Sequence, residues 1–358
     1  MFLPKISKCV YTSNLQERAK FGKFGLENSG NSINQIRKIL VIRFSSLGDV
    51  LLTTPVVRAL KAKCPDAELH FVVKKEFSDV YAYNPRISKL IFFDKANEAK
   101  IKSEIDKEKY DLIIDLQNNW RSRKLTRGIA SNILMFVKPT FAKLLLVYLK
   151  INFLKEKKSI VQRYAEAAGV EIDQFGLELC LPAEITTKLE SDKKYIGIAP
   201  GAKHFTKRWP KEYFIELGNE LTKRGFQIVL FGGKSDQELC FEISKHIPGS
   251  INLQNDNNLF QTGADMKLCK LIVTNDSGLM HTAASVGVPV AAIFGSTVKE
   301  FGFAPYGVQN LILENNSLFC RPCSHIGKSN CPKKHFKCMK DVTPHNVLNH
   351  LQNFLSRL

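Results

Sequence analysis

Short runs of consecutive apolar residues, each followed by a polar turn and a stretch of helical spacing, recur along most of this chain. The first set is Ile39–Ile42, Leu69–Val73, Leu90–Phe93 and Leu112–Ile114. Continuous rather than alternating apolar runs predict strands covered on both faces, and their alternation with helical stretches predicts a parallel sheet with helices on both sides. The alternation lapses and then restarts with Tyr195–Ala199, Gln227–Phe231, Leu271–Val273 and Val290–Phe294. The reading is therefore α/β, with two Rossmann-like domains facing across a cleft. They are placed at residues 36–190 and 191–358, with the charged stretch Lys188–Lys194 as the linker. Residues 1–35, polar and rich in Gly and Asn after Val10, read as a loosely ordered leader.

Three of the strand ends carry candidate chemistry. After Leu271–Val273 comes Asn275-Asp276-Ser277-Gly278, cap-type residues before a helix that Gly287 and Pro289 end. Such a helix start points free N–H groups and a positive dipole beyond the strand's carboxyl edge, where anionic ligands sit in open α/β sheets. His281 follows one turn later. After Tyr195–Ala199 the loop Gly201-Ala202-Lys203 leads to Lys207-Arg208-Trp209-Pro210 and a helix over Lys211–Arg224. After Lys38–Ile42 a Ser/Gly turn carries Ser46 and Asp49, the only acid between Glu27 and Asp66, and then a helix through Leu60.

The segment 129–158, inside the first domain, breaks the pattern. Its apolar clusters Ile133–Val137, Leu144–Leu149 and Ile151–Leu154 are interleaved with Lys138, Lys143, Lys150, Lys155, Lys157 and Lys158. It is too short and too charged to span a bilayer. The preferred reading is a basic amphipathic insertion lying on anionic lipid, because the excess cations concentrate from Arg121 through Arg163, where Glu156 is the only acid. The alternative is a pair of packed helices whose lysines face water.

Composition narrows the partners without choosing one. A formal net charge of +18 on 358 residues favours an anionic partner. Nucleic acid is disfavoured, since the chain has no zinc-finger spacing with paired histidines, no RNP-type motif and no basic recognition helix. No secretory signal opens the chain, because Lys5 and Lys8 interrupt Met1–Val10, which points to the cytoplasm. Cys9, Cys64, Cys180, Cys240 and Cys269 are scattered and read as small buried or incidental thiols. Cys320, Cys323, Cys331 and Cys338 are spaced for a structural tetrahedral zinc site, with an iron–sulfur cluster, reduced thiols or two disulfides left open.

Four stretches together resemble glycosyltransferase family 9, the heptosyltransferases of lipopolysaccharide core assembly. They are RFSSLGDVLLTTPVVRAL (43–60), DLIIDLQNNWRS (111–122), APGAKHFTKRWP (199–210) and TNDSGLMHTAASVGVPVAAIFG (274–295). The resemblance runs over roughly residues 38 to 345 in the family's order. It implies a GT-B fold and inverting, metal-independent transfer of heptose from ADP-heptose to a lipid-A-linked core sugar at the inner face of the inner membrane. Another nucleotide sugar, another surface glycan or a non-catalytic binder stays open. In the resemblance Asp49 is the catalytic base. Lys207 meets the donor phosphates near Gly201, Ala202 and Lys203, with the Ser277 and Gly278 amides as the other half of the clamp. Asp276 and His281 lie at the donor sugar. Asp236 and Glu238, after Gln227–Phe231, are offered to the ribose. Ser46, Arg121 and Arg123 are assigned to the acceptor. No cofactor is implied for catalysis. The chain departs from the family at Asn118, where Gly is usual.

Overall fold

The computed structural model describes residues 36–129, 132–154, 158–255 and 258–358. The leader at 1–35, with Cys9, and the lysines at 155 and 157 lie outside them. The first sheet holds β1 (Lys38–Ile42), β2 (Glu68–Val73), β3 (Lys89–Phe92), β4 (Leu112–Asp115) and β5 (Asn132–Met135). Its order is β3-β2-β1-β4-β5, and every pairing is parallel. The second sheet holds β6 (Tyr195–Ala199), β7 (Gln227–Leu230), β8 (Ile251–Asn252), β9 (Cys269–Asn275), β10 (Val290–Phe294) and β11 (Asn310–Glu314). It runs β11-β10-β9-β6-β7-β8, again all parallel. Consecutive residues of β4, β6 and β10 are buried without alternation, so both faces of those strands are covered.

Both orders reverse beside their first strand, between β1 and β4 and between β6 and β9. Loops leaving the carboxyl ends of two such strands diverge to opposite faces and leave a crevice, the usual ligand position in this architecture. The apolar pattern could not supply the edge strands of the second sheet, β8 and β11. β8 has only two residues and β11 is half-buried, so neither shows a long apolar run.

The chain divides into two compact units, which are not the expected halves. One comprises described residues through Lys138 together with Ile160–Pro182; the other comprises Pro139–Ser159 and Ala183–Leu358. The boundary precedes Lys188–Lys194 because each side of it is fastened to a different unit. Glu178 takes Arg58, Asn84 and Arg86 in the first, whereas the Thr187 hydroxyl and the Lys188 amide donate to Asp265 in the second.

The segment 129–158 is divided as well. Ile133 and its neighbours form the edge strand β5, and 139–154 folds onto the second unit, where Leu146, Val147 and Leu154 are buried with Val298 and Phe301. The expected helix from the Asp49 turn to Leu60 is broken into Leu47–Leu51 and Thr54–Lys63, since Pro55 suits a first helical turn and not an interior. Of the scattered cysteines, Cys64, Cys240 and Cys269 are buried free thiols, while Cys180 is held in a disulfide.

Candidate active site: two half-sites

In the first unit the site grows from the β1/β4 reversal. Arg43, one residue past β1, is buried and pairs through Nη2 with Asp49 Oδ1 at 2.6 Å. Its Nη1 donates to Leu116 O at 2.8 Å, tying the two strand ends together. Asp49 Oδ2 accepts from the Ser46 amide (3.2 Å) and hydroxyl (2.8 Å), and the centroid of the buried Tyr164 ring lies 5.5 Å from the Arg43 guanidinium carbon. Asp49 therefore closes its own helix turn and is aimed by a buried cation, while 19% of its side chain still reaches solvent. Ser46 is exposed, and its hydroxyl is spent on Asp49.

The β4 end supplies a second, deeper carboxylate. Asp115 is fully buried and accepts from the amides of Gln117 and Asn118 and from Ser122 Oγ at 2.6 Å. Burial pushes its pKa upward, against those hydrogen bonds. It shapes the loop that presents the arginines. Asn118 has φ of +38°, the left-handed region, which explains why a Gly is usual there and why Asn is tolerated. The substitution adds contacts that Gly lacks, because Asn118 Oδ1 accepts from Arg123 Nε and its Nδ2 donates to Phe136 O. Arg121 lies over the exposed Trp120 ring, 5.2 Å from its centroid, and its buried Nε has no hydrogen-bond partner among the described residues. Arg123 lines an open cavity of about 870 Å³ with Trp120, Arg127 and Met135.

Lys138 joins this half-site, although the sequence pattern assigned it to a lipid-facing segment. Its Nζ donates to Asn118 O at 3.0 Å. Burial lowers its pKa most, Arg43 and Arg123 lower it further, and Asp115 and Asp49 oppose them. Arg43 and Tyr164 were missed too. The signal for Arg43 was present, an arginine six residues before the lone acid, but nothing in sequence placed Tyr164.

In the second unit the site grows from the β6/β9 reversal. Asn275, at the end of β9 and fully buried, accepts from the Trp209 amide (3.0 Å) and donates to Pro200 O (2.7 Å), so it locks the two loops together. Next to it Asp276 Oδ2 meets Lys207 Nζ at 2.6 Å and Thr297 Oγ1 at 2.7 Å. Ser277 is the N-cap of the helix Gly278–Ser285 without a side-chain cap bond, and its buried hydroxyl has no partner among the described residues. The free helix start thus lies beside the Lys207–Asp276 pair. His281 is buried one turn along the helix.

The β6 loop carries a positive field. The His204 imidazole is pushed down by burial and by Lys207, Lys203 and Arg208. Arg208 Nε holds Ala202 O at 2.7 Å, and Lys203 is exposed. Gly201 is packed on Asp236, since a Cβ there would stand 2.4 Å from that carboxyl carbon. Asp236 Oδ2 in turn accepts from the Gly233 amide. Glu238 is exposed and lines a cavity of about 660 Å³ with Ser235, Phe241 and Asn252 at the ends of β7 and β8.

Residues 99–334 match the sequence family described as glycosyltransferase family 9 (heptosyltransferase). The chain belongs to that family. It is 30% identical to lipooligosaccharide heptosyltransferase 2 of Campylobacter jejuni over 89% of this chain and 98% of that one. It is 24% identical to lipopolysaccharide heptosyltransferase 2 of Escherichia coli K12 over 89% and 98%. Among solved structures it resembles the glycosyl transferase family 9 protein of Veillonella parvula (TM-score 0.73, 22% identity, 90% and 98% covered) and the E. coli ADP-heptose heptosyltransferase II (TM-score 0.67, 24% identity, 89% and 99% covered). The fold of this family 9 chain is accordingly the two-domain GT-B type, and it is a glycosyltransferase.

The cysteine cluster departs from the tetrahedral arrangement that its spacing suggested. All four thiols are free, and no group of three or more His, Cys, Asp or Glu side chains among the described residues is arranged to hold a metal ion. Cys338 is used as core, packed with Met339 and Phe336, and Cys331 lies at the rim of the same cluster. Burial pushes the Cys338 thiol up to about 12, with Cys323, Cys331 and Cys320 adding to it.

Proposed function

We propose that this chain transfers heptose from ADP-heptose to a lipid-A-linked core sugar, with inversion and without a metal. The observation that carries the donor half is the pairing of Lys207 with Asp276, the residue next to the helix N-cap Ser277, beside the β6/β9 reversal. A departing diphosphate gains charge as the glycosidic bond breaks, and an ammonium plus oriented amides meet that charge without reorganising. The open cavity lined by Glu238 fits the nucleoside end. The names of the relatives, lipooligosaccharide and lipopolysaccharide heptosyltransferases, support heptose as the sugar.

On the acceptor half, Asp49 takes the proton of the attacking hydroxyl. Arg43 orients the carboxylate, and the remaining exposure of Asp49 admits the hydroxyl. Arg121, whose guanidinium lies over the Trp120 ring, and Lys138 are the cations for an acidic acceptor. No step of this reading passes through the cysteines.

The site of action in this reading is the inner membrane's inner face. No helix among the described residues is long and apolar enough to cross a membrane. Contact comes instead from Phe141, Tyr148, Leu149 and Phe153, which stay exposed while their neighbours are packed. Two of the described lysines of that segment are otherwise engaged. Lys143 lies over the Phe301 and Phe303 rings, and Lys150 Nζ donates to Val147 O and Pro322 O at 2.7 Å.

The test is purified protein offered ADP-heptose, UDP-glucose and GDP-mannose with a lipid-A-linked core acceptor and with added chelator. Release of the nucleoside diphosphate, dependent on acceptor and unaffected by chelator, is expected from ADP-heptose alone. Equal release from another nucleotide sugar would reject the donor assignment.

A further inference from the structure

The cysteine-bearing loop is wired into the donor half-site through its one buried cation. Arg321, between Cys320 and Cys323, is 8% exposed. Its Nε donates to Gly295 O at 2.6 Å, its Nη2 to Thr297 O at 2.9 Å, and its Nη1 to Asn315 O and Asn316 Oδ1 at 2.9 and 3.0 Å. Glu314 neutralises it from β11. The Cys323 amide donates to Ser296 O at 3.2 Å, so three successive carbonyls after β10 are all held from residues 321 and 323. The third of those residues is Thr297, whose hydroxyl sits on Asp276.

The same loop grips the other donor-site strand end. Lys328 N donates to Thr206 Oγ1 at 2.8 Å, and the Thr206 amide donates back to Lys328 O at 3.1 Å. Thr206 O accepts from the Ser296 amide, and Lys207 is the next residue. At Gly327 a Cβ would stand 2.6 Å from the His204 Cβ, so the backbones approach closely there.

We propose that Arg321 is a positioning residue for the donor diphosphate: by fixing the carbonyls of Gly295 and Thr297 it sets the Thr297 hydroxyl on Asp276, and through Asp276 the ammonium of Lys207. This rests on the donor-site reading above. The task needs a guanidinium, because several fixed donors must reach three directions at once, and a lysine nitrogen cannot span them. Without it the segment 295–297 loses most of its anchoring, and small displacements at a binding centre are costly.

Arg321→Lys, Glu314→Gln and Thr297→Val in the full chain separate positioning from stability. ADP affinity is measured by calorimetry, donor and acceptor KM and kcat by ADP release, and unfolding midpoints in urea, all at a temperature where circular dichroism shows each variant folded. Glu314→Gln removes only the charge partner, so its midpoint falls while ADP affinity stays within twofold. Arg321→Lys weakens ADP binding about tenfold or more, the scale of a lost hydrogen bond from a charged donor, and raises donor KM without changing acceptor KM. Thr297→Val reproduces that loss, and the double variant is no worse than Arg321→Lys, since both act through one hydroxyl. Thr297→Val stands as the test by itself if Arg321→Lys does not fold. Equal ADP weakening in Glu314→Gln, additive losses in the double variant, or unchanged ADP affinity in Thr297→Val would overturn the proposal. Lys207→Ala, run alongside, reports on the underlying reading, which falls if ADP affinity survives that change.

Discussion

Replacing Lys207 by methionine separates its structural role from its role in the chemistry. Its ammonium lies 2.6 Å from Asp276 Oδ2, with 16% and 9% of the two side chains exposed. Breaking a buried ion pair by removing one partner costs about 3–5 kcal/mol. Thr297 Oγ1 still donates to the stranded carboxylate, and the ammonium is not fully enclosed, so the expected loss is lower, about 2–3 kcal/mol. Adding Asp276→Asn to Lys207→Met removes the stranded charge and keeps the Thr297 bond, which should recover most of that stability. Transfer behaves differently. A donor aimed at developing charge is worth roughly a hundredfold to a thousandfold in rate, and that loss should persist in the double variant. Urea denaturation followed by circular dichroism gives the first quantity, and ADP release from ADP-heptose gives the second. Recovery of turnover together with stability in the double variant would show that Lys207 serves only to neutralise Asp276. A Lys207→Met protein as stable as its parent would contradict the burial of the pair.

Two further outcomes follow from the charge and apolar surfaces. Glu108 bridges Lys38 and Lys89, whose hydrogen bonds hold its pKa down to about 2 from an ordinary value of 4.5. A carboxylate with a lowered folded-state value stabilises above its unfolded pKa and loses that contribution as pH falls through the folded one. Glu108→Gln should therefore cost up to about 1 kcal/mol at pH 7, less in high salt, with the difference shrinking from pH 4.5 and gone near pH 2 in thermal melts. Exchanging Phe141, Tyr148 and Phe153 for Ser should reduce co-sedimentation with anionic vesicles by tenfold or more, since each large apolar side chain contributes about 1.5–3 kcal/mol when removed from water. Unchanged sedimentation would mean that this face does not meet lipid.

The strands were legible wherever both faces are covered, because β1, β2, β4, β6, β9 and β10 are continuous apolar runs. The turns that carry Asp49, Lys207, Asp276 and Ser277 lie where those runs end, so their places in the fold could be read from the sequence. Lys138 was not, for a reason of distance: its partner Asn118 lies on the loop after β4, while its neighbours in sequence are apolar and basic. Arg321 was hidden in the same way, between two cysteines that drew a metal reading, while its contacts lie at residues 295, 297 and 314–316. The lysines at 143 and 150 looked free for lipid because periodicity reports which face is apolar and not what covers it. Val298 and Phe301, which bury part of that segment, come far later in the chain.

Asp49 is proposed as the base for sugar transfer and not merely as the acid that closes its turn. Asp49→Asn keeps an acceptor for the Ser46 amide and loses the ion pair with Arg43, so the turn survives while the proton acceptor is gone. Single-turnover transfer from ADP-heptose, measured beside ADP affinity on protein shown to be folded, decides the matter. ADP affinity should be unchanged and transfer should fall by a hundredfold or more, the lower end for a positioned base. Transfer near the parental rate would remove Asp49 from the reaction and with it this account of the acceptor half-site.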